Sequence, residues 1–115
     1  MHCPINNPYQ RQQTFPRFLF VCSAGLLRSP TAAHVAACRG YNTRAAGMED
    51  YALVPVTQQL VDWADKVFCM DKYQRDVLRI HFKAEAISLD IPDEFEYRNS
   101  ELVKLLEEKF NELKL

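Results

Sequence analysis

Four short segments along the chain, most of them rich in apolar residues, have the length of strands. They predict strands at Arg17–Val21, Thr43–Ala46, Lys66–Met70 and Ala84–Leu89. Between and after these segments, apolar residues recur at the three- and four-residue spacing of helices. They predict helices at Thr31–Arg39, Val56–Ala64 and Tyr73–His81 and a last helix that begins at a Ser100 cap. Strands that alternate with helices imply a small three-layer α/β fold, with about four parallel strands and helices on both faces.

Two helices carry further signals in the sequence. Gly40 follows the first predicted helix and is expected to end it, because glycine tolerates the left-handed backbone found at helix ends. The last helix presents a single apolar stripe, which predicts that it packs on the sheet. Its members are Leu102, Leu105, Leu106, Phe110 and Leu113.

The beginning of the chain differs in composition from the rest. Residues 1–16 contain three prolines, three glutamines and two asparagines and no apolar periodicity. Such a segment does not bury enough apolar surface to offset the entropy of ordering. We therefore expect a flexible N-terminal extension over residues 1–16 and one domain over residues 17–115.

Composition and charge exclude several classes of protein. The 115 residues are 48% hydrophobic and carry a net charge of −1, so no broad basic surface for nucleic acid is expected. No apolar run is long enough to cross a bilayer, so a membrane partner is not expected either. The four cysteines lack the spacing of metal sites or disulfide frameworks, which favours a reducing cytoplasm and no metal or other cofactor.

The loop after the first strand carries the candidate chemistry. Cys22 and Arg28 stand six positions apart, between a predicted strand and a predicted helix that Pro30 opens. Inward-pointing backbone N–H groups and a helix N-terminus bind anions, and an arginine guanidinium matches two phosphate oxygens. The same positive field favours the reactive thiolate of Cys22. Two roles are predicted for Ser29: it donates a hydrogen bond to this thiolate, or it caps the helix.

The loop is expected to bind phosphate through its backbone, with Gly25 supplying a positive φ where the amides curl inward. The predicted substrate-binding residues are Ser23, Ala24, Gly25, Leu26, Leu27 and Arg28.

This loop, Val21–Pro30, resembles the Cys-x5-Arg-Ser-Pro signature of the low-molecular-weight protein tyrosine phosphatases. Further along, Arg44–Gly47 resembles the end of that family's second strand, and Trp63–Met70 resembles its Ala-Asp strand. Ile91–Tyr97 stands where the family carries Asp-Pro-Tyr-Tyr. The likeness covers the chain from about Phe18 to the C-terminus. It implies a phosphatase that forms a phosphocysteine intermediate, acts on phosphotyrosine and needs no metal.

The resemblance also implies a general acid. Asp93 stands at the family's acid position, and Asp90 is the alternative because it follows the same predicted strand. Asp71 follows the third strand and is expected to shape its loop. Parallel strands bring these loops to one edge of the sheet, together with Cys22.

Two of the departures from the family bear on the chemistry and on the shape of the site. Leu27 replaces a cysteine beside the nucleophile, so the family's protective disulfide cannot form. The stretch from Gly47 to Trp63 is shorter than usual, which predicts the loss of a helix and of part of the wall around an aryl phosphate. Trp63 itself and Cys69 are expected in the core.

Other functions compete with the phosphatase interpretation. Val21–Gly25 also resembles the loop of the sugar phosphotransferase IIB components, in which a cysteine carries phosphate, but those loops lack Arg28. An arsenate reductase needs further cysteines near the site, and none follows Cys69. A binding module for anions without catalysis is the remaining alternative.

Overall fold

A computed structural model describes residues 16–23, 28–49, 52–92 and 99–115. Four strands form one parallel sheet in the order β2-β1-β3-β4. The strands are β1 (Arg17–Cys22), β2 (Asn42–Gly47), β3 (Lys66–Cys69) and β4 (Ala86–Ser88), and the helices are α1 (Arg28–Cys38), α2 (Gln58–Trp63), α3 (Lys72–Phe82) and α4 (Ser100–Glu112). The predicted fold class is confirmed, because the sheet is parallel and helices cover both of its faces.

The first strand lies inside the sheet and fixes where its loop emerges. It pairs with β2 from Arg17↔Asn42 to Cys22↔Gly47, and with β3 on its other side. Residues 18–22 are all buried. A strand that is covered on both faces carries apolar side chains at successive positions, and this explains the sequence Phe-Leu-Phe-Val before Cys22.

Alternate residues of β1 belong to two separate cores. Phe18 and Phe20 face α1 and α4, where Phe20 lies against Phe68 and Phe110 with ring centroids 5.0 and 5.9 Å apart. Leu19 and its neighbours on that side face α2 and α3. This division follows from the two-residue period of a strand. Because both faces of the sheet are apolar, helices pack on both of them.

The ends of two helices correct the predicted boundaries. α1 begins at Arg28, before the predicted Thr31, so Pro30 is its third residue and not its first. α4 is capped by Asn99 and not by Ser100, because the Asn99 side-chain oxygen accepts the N–H groups of Glu101 and Leu102 at 2.9 and 3.3 Å. Gly40 adopts a φ of 97° after α1, as expected of the residue that ends this helix.

Some large apolar residues on or beside the helices are partly or largely exposed. Trp63 is only half-buried, with the Arg44 guanidinium 4.8 Å from its ring centroid, so the prediction of a core tryptophan is wrong. Ile80 of α3 and Leu113 after α4 are 68% and 40% exposed. None of the helices among the described residues has the length and apolar character needed to span a membrane.

Candidate active site

The candidate nucleophile lies at the carboxyl end of the central strand. Cys22 is the last residue of β1 and is 3% exposed. Its backbone carbonyl accepts the N–H of Met48 at 2.9 Å, which fixes the strand end against the segment after β2. Ligands of parallel α/β sheets bind at this edge, so Cys22 lies where the fold favours a site.

Ser29 is the polar partner of the Cys22 sulfur. The thiol donates a hydrogen bond to the Ser29 hydroxyl, with Sγ and Oγ 3.1 Å apart. The hydroxyl in turn donates to the carbonyl of Ala46 at 3.4 Å. Ser29 is completely buried inside the first turn of α1 and is not its cap. A hydroxyl can rotate, so the same contact becomes a donor to sulfur when Cys22 loses its proton.

Arg28 connects the start of α1 to the segment after β4. This side chain is 3% exposed, and its Nη1 donates to the backbone carbonyl of Ile91 at 2.8 Å. Ile91 is itself fixed, since its N–H donates to the Met70 carbonyl at 2.8 Å and its side chain is buried. The guanidinium therefore ties the first residue of α1 to the backbone segment that follows β4.

Only part of the predicted phosphate loop lies within the described residues. Ser23 is described, and its carbonyl accepts the N–H of Glu49 at 2.9 Å. The predicted binding residues Ala24, Gly25, Leu26 and Leu27 lie outside the described residues.

The predicted acids occupy different surroundings. Asp93, the preferred acid, lies outside the described residues. The alternative, Asp90, is exposed with a φ of 54°, and its carboxylate accepts the Ser88 hydroxyl at 2.7 Å. Asp71 caps α3 by accepting the backbone N–H of Gln74 at 2.8 Å, which is the shaping role expected of it.

Comparison with known proteins gives matches in structure alone. No family model and no curated protein matches the sequence. The YwlE arginine phosphatase from Geobacillus stearothermophilus superposes with a TM-score of 0.67 at 20% identity, over 86% of this chain and 93% of that chain. Wzb from Vibrio vulnificus, in complex with benzylphosphonate, superposes with a TM-score of 0.70 at 18% identity, over 88% and 99%. The chain has the low-molecular-weight phosphatase fold.

A third solved structure has the same fold. It is a cysteine-to-serine variant of the YwlE arginine phosphatase, with a phosphorylated active-site serine. It superposes with a TM-score of 0.64 at 21% identity, over 85% of this chain and 95% of that chain.

One polar residue at the site was not predicted from the sequence. Gln74 is 2% exposed near the start of α3, and its side chain bonds to the Ser23 hydroxyl and to the Met70 N–H. The sequence does contain an indication of this role. Gln74 stands four residues before Leu78, which is buried, so the two side chains lie on the same inner face of the helix.

The other described cysteines lie away from the Cys22 sulfur. Cys69 is buried in the core on the opposite face of the sheet, as predicted. Burial in apolar surroundings, with the negative charge of Asp71 nearby, raises the pKa of Cys69 to about 12. Cys38 ends α1, about 15 Å along the helix from Arg28, at 1.5 Å per residue. Its Sγ lies 3.7 Å from His34 Nε2.

Proposed function

We propose that this protein is a cysteine-dependent phosphatase that forms a phosphocysteine intermediate on Cys22. The observation that carries the proposal is the 3.1 Å contact between Cys22 Sγ and Ser29 Oγ, beside buried Arg28, at the carboxyl end of the central strand. The YwlE variant of the same fold has a phosphorylated active-site serine, and this supports the proposal of a covalent intermediate.

In the first step, the Cys22 thiolate attacks phosphorus and forms an S–P bond while the bond to the leaving oxygen breaks. The Ser29 hydroxyl donates to the thiolate before the attack. Arg28 and the first N–H groups of α1 stabilise the charge on the remaining phosphate oxygens. The proposed acid Asp93 gives its proton to the leaving oxygen, with Asp90 as the alternative.

In the second step, the Asp93 carboxylate takes a proton from water, and the resulting hydroxide attacks phosphorus. The S–P bond breaks, phosphate leaves and the Cys22 thiolate is restored. The bond from Arg28 to the Ile91 carbonyl supports this assignment, because Ile91 precedes Asp93 by two positions in the sequence.

We propose a phosphotyrosine-like aryl phosphate as the substrate. Leu53 and Val54 are 81% and 52% exposed, and the Val54 carbonyl accepts the Gly47 N–H at the end of β2. The same segment bonds to Ser23 through Glu49. Exposed apolar side chains close in sequence to a residue that bonds to Ser23 are suited to an aromatic leaving group. Phosphoarginine is the second candidate, since an arginine phosphatase has this fold.

The proposed setting follows from the thiol chemistry and from the charge of the chain. A reduced Cys22 requires a reducing compartment, so we place the protein in the cytoplasm. A net charge of −1 gives no support for a nucleic-acid partner. The expected partner is a phosphorylated protein or a small phosphomonoester.

The decisive experiment measures hydrolysis of p-nitrophenyl phosphate without added metal. Cys22→Ser is expected to abolish turnover, while the control Cys38→Ser keeps it, because Cys38 lies at the far end of α1. Asp93→Ala is expected to lower kcat by about 10²–10⁴-fold, the usual contribution of a positioned acid. A similar loss in Asp90→Ala instead would assign the acid to Asp90. Phosphotyrosine and phosphoarginine peptides are then compared by kcat/KM.

The alternatives predict different results in the same experiment. A phosphocarrier gives a stable phosphocysteine without release of phosphate. A binding module for anions protects Cys22 with phosphate but shows no turnover. An arsenate reductase requires a second thiol, whereas Cys69 faces the opposite core.

A further inference from the structure

The buried side-chain amide of Gln74 connects three parts of the molecule. Its Oε1 accepts the backbone N–H of Met70 at 2.8 Å, just after β3, and its Nε2 donates to the Ser23 hydroxyl at 3.3 Å. Its own backbone N–H donates to the cap residue Asp71 at 2.8 Å. One amide therefore uses both its acceptor and its donor, and this joins α3 and the end of β3 to the residue that follows the nucleophile.

Ser23 is held from two sides. On one side its hydroxyl accepts the Gln74 amide, and on the other its carbonyl accepts the Glu49 N–H at 2.9 Å. The preceding carbonyl, of Cys22, is fixed by Met48 at the same distance. Of these contacts to Ser23, only the one from Gln74 is made by a side chain, so it is the one that a substitution can remove.

We propose that Gln74 is a positioning residue, which sets the direction in which the chain leaves Cys22 and enters the phosphate loop. This inference rests on the proposed phosphatase function and deepens it. A side-chain amide is suited to this position for two reasons. It carries no charge next to the proposed anion site, and it can donate one hydrogen bond while it accepts another. A methionine of similar volume would leave the Met70 N–H and the Ser23 hydroxyl without this partner.

The effect is expected in kcat more than in KM. In-line attack requires the sulfur and phosphorus to be aligned, and a misplacement of about 1 Å costs up to roughly 10²-fold in rate. Gln74 does not contact the substrate in this proposal, so substrate binding changes little when the amide is removed. A loss confined to kcat indicates an interaction that acts in the transition state.

The test is a double-mutant cycle on p-nitrophenyl phosphate turnover. Gln74→Met and Ser23→Ala are each expected to lower kcat roughly tenfold, with KM within about twofold. Because both remove the same bond, the double variant should be no slower than about twofold below the slower single variant. Gln59→Ala is the matched control, since Gln59 is exposed on α2. Multiplied losses in the double variant would overturn the proposal.

A second readout does not depend on turnover. The rate at which iodoacetamide alkylates Cys22 should change several-fold in Gln74→Met and Ser23→Ala, because the chain then leaves Cys22 in a different direction, while the concentration of inorganic phosphate that protects Cys22 should stay within about twofold of the native value. If the native protein lacks turnover but this difference is found, the phosphatase proposal fails and the positioning role stands. Unchanged kcat and an unchanged rate of Cys22 alkylation in folded Gln74→Met would overturn the positioning role. If that variant does not fold, unchanged values in Ser23→Ala would overturn it.

Discussion

At the scale of single residues, the burial of Ser29 beside the Cys22 sulfur leads to a kinetic prediction. A hydrogen bond to a charged group contributes about 1.5–3 kcal/mol. Removing the hydroxyl in Ser29→Ala should therefore lower kcat by roughly 10–100-fold. Steady-state kinetics on p-nitrophenyl phosphate checks this, with exposed Ser100→Ala as the control. Full kcat in Ser29→Ala would mean that the 3.1 Å contact has no part in the reaction.

The two buried thiols at the ends of β1 and β3 are expected to differ in reactivity. The pKa of Cys69 is raised to about 12, first by burial and then by Asp71, so at pH 8 only about one molecule in 10⁴ carries its thiolate. In the folded protein, iodoacetamide at pH 8 should modify Cys22 and leave Cys69 unmodified, as peptide mass spectrometry will show. Raising the pH toward 12 should increase Cys69 modification. Denaturant should make both thiols react, and prompt modification of native Cys69 would contradict its burial.

At the scale of elements, the inner stripe of α4 is expected to decide stability. Leu106 is completely buried in the core against the sheet, whereas Leu113 is 40% exposed beyond the end of the helix. Leu106→Ala should lower the free energy of unfolding by about 2–5 kcal/mol. Leu113→Ala should change it by only about 0.5 kcal/mol. Urea unfolding followed by circular dichroism measures both, and equal losses would contradict the packing of α4.

The same helix shows what the sequence predicts and what it does not. The stripe identified α4 and its buried residues, because periodicity reports local geometry. It did not separate Leu106 from Leu113, because the period of the apolar residues does not show that the helix ends at Glu112, one residue before Leu113. Asn99 and Ser100 are both residue types that cap helix N-termini well, and the backbone geometry at the start of α4 determines that Asn99 is the cap.

In the candidate site, too, some contacts could be predicted from the sequence and others could not. Cys22 and Ser29 are seven positions apart on one strand–loop–helix unit, so their proximity could be anticipated from local sequence. The bond from Arg28 to Ile91 spans 63 positions, and the bond from Gln74 to Ser23 spans 51. Contacts of that range exist only after the strands pair, and no local pattern specifies them.

At the scale of the whole molecule, the two ends of the sheet have different roles. The carboxyl end carries Cys22 and the contacts around it. At the amino end, the Arg17 N–H donates to the Asp65 carboxylate at 2.8 Å, and this bond holds the pKa of Asp65 below its ordinary value of 3.8. That stabilising contribution is complete above the ordinary value and is lost as the pH falls through the lower folded pKa. The pair therefore supports the fold at neutral pH, far from the chemistry.

We propose that the N-terminal extension is dispensable, because it is attached at the end of the sheet opposite to Cys22. The extension joins β1 at its amino end, five residue steps or roughly 16 Å from Cys22 along the strand. A deletion should remove residues 1–15 and keep Pro16, because the Pro16 carbonyl accepts the Asn42 N–H at 2.9 Å. We expect kcat/KM within about twofold of the full chain and a free energy of unfolding within about 0.5 kcal/mol.

Two measurements on the shortened chain separate the ways in which this prediction can fail. A loss of kcat/KM with unchanged unfolding would mean that residues 1–15 contribute to the substrate pocket despite their attachment at the opposite end. A loss of stability with proportionate loss of activity would mean that they cover part of the core. A second deletion that also removes Pro16 is the matched comparison, since it alone takes away the acceptor of the Asn42 N–H at the first rung of the β1–β2 pair. It should be the less stable of the two, because an unpaired backbone N–H at a strand end costs about 1–3 kcal/mol when it is buried and less where water reaches it.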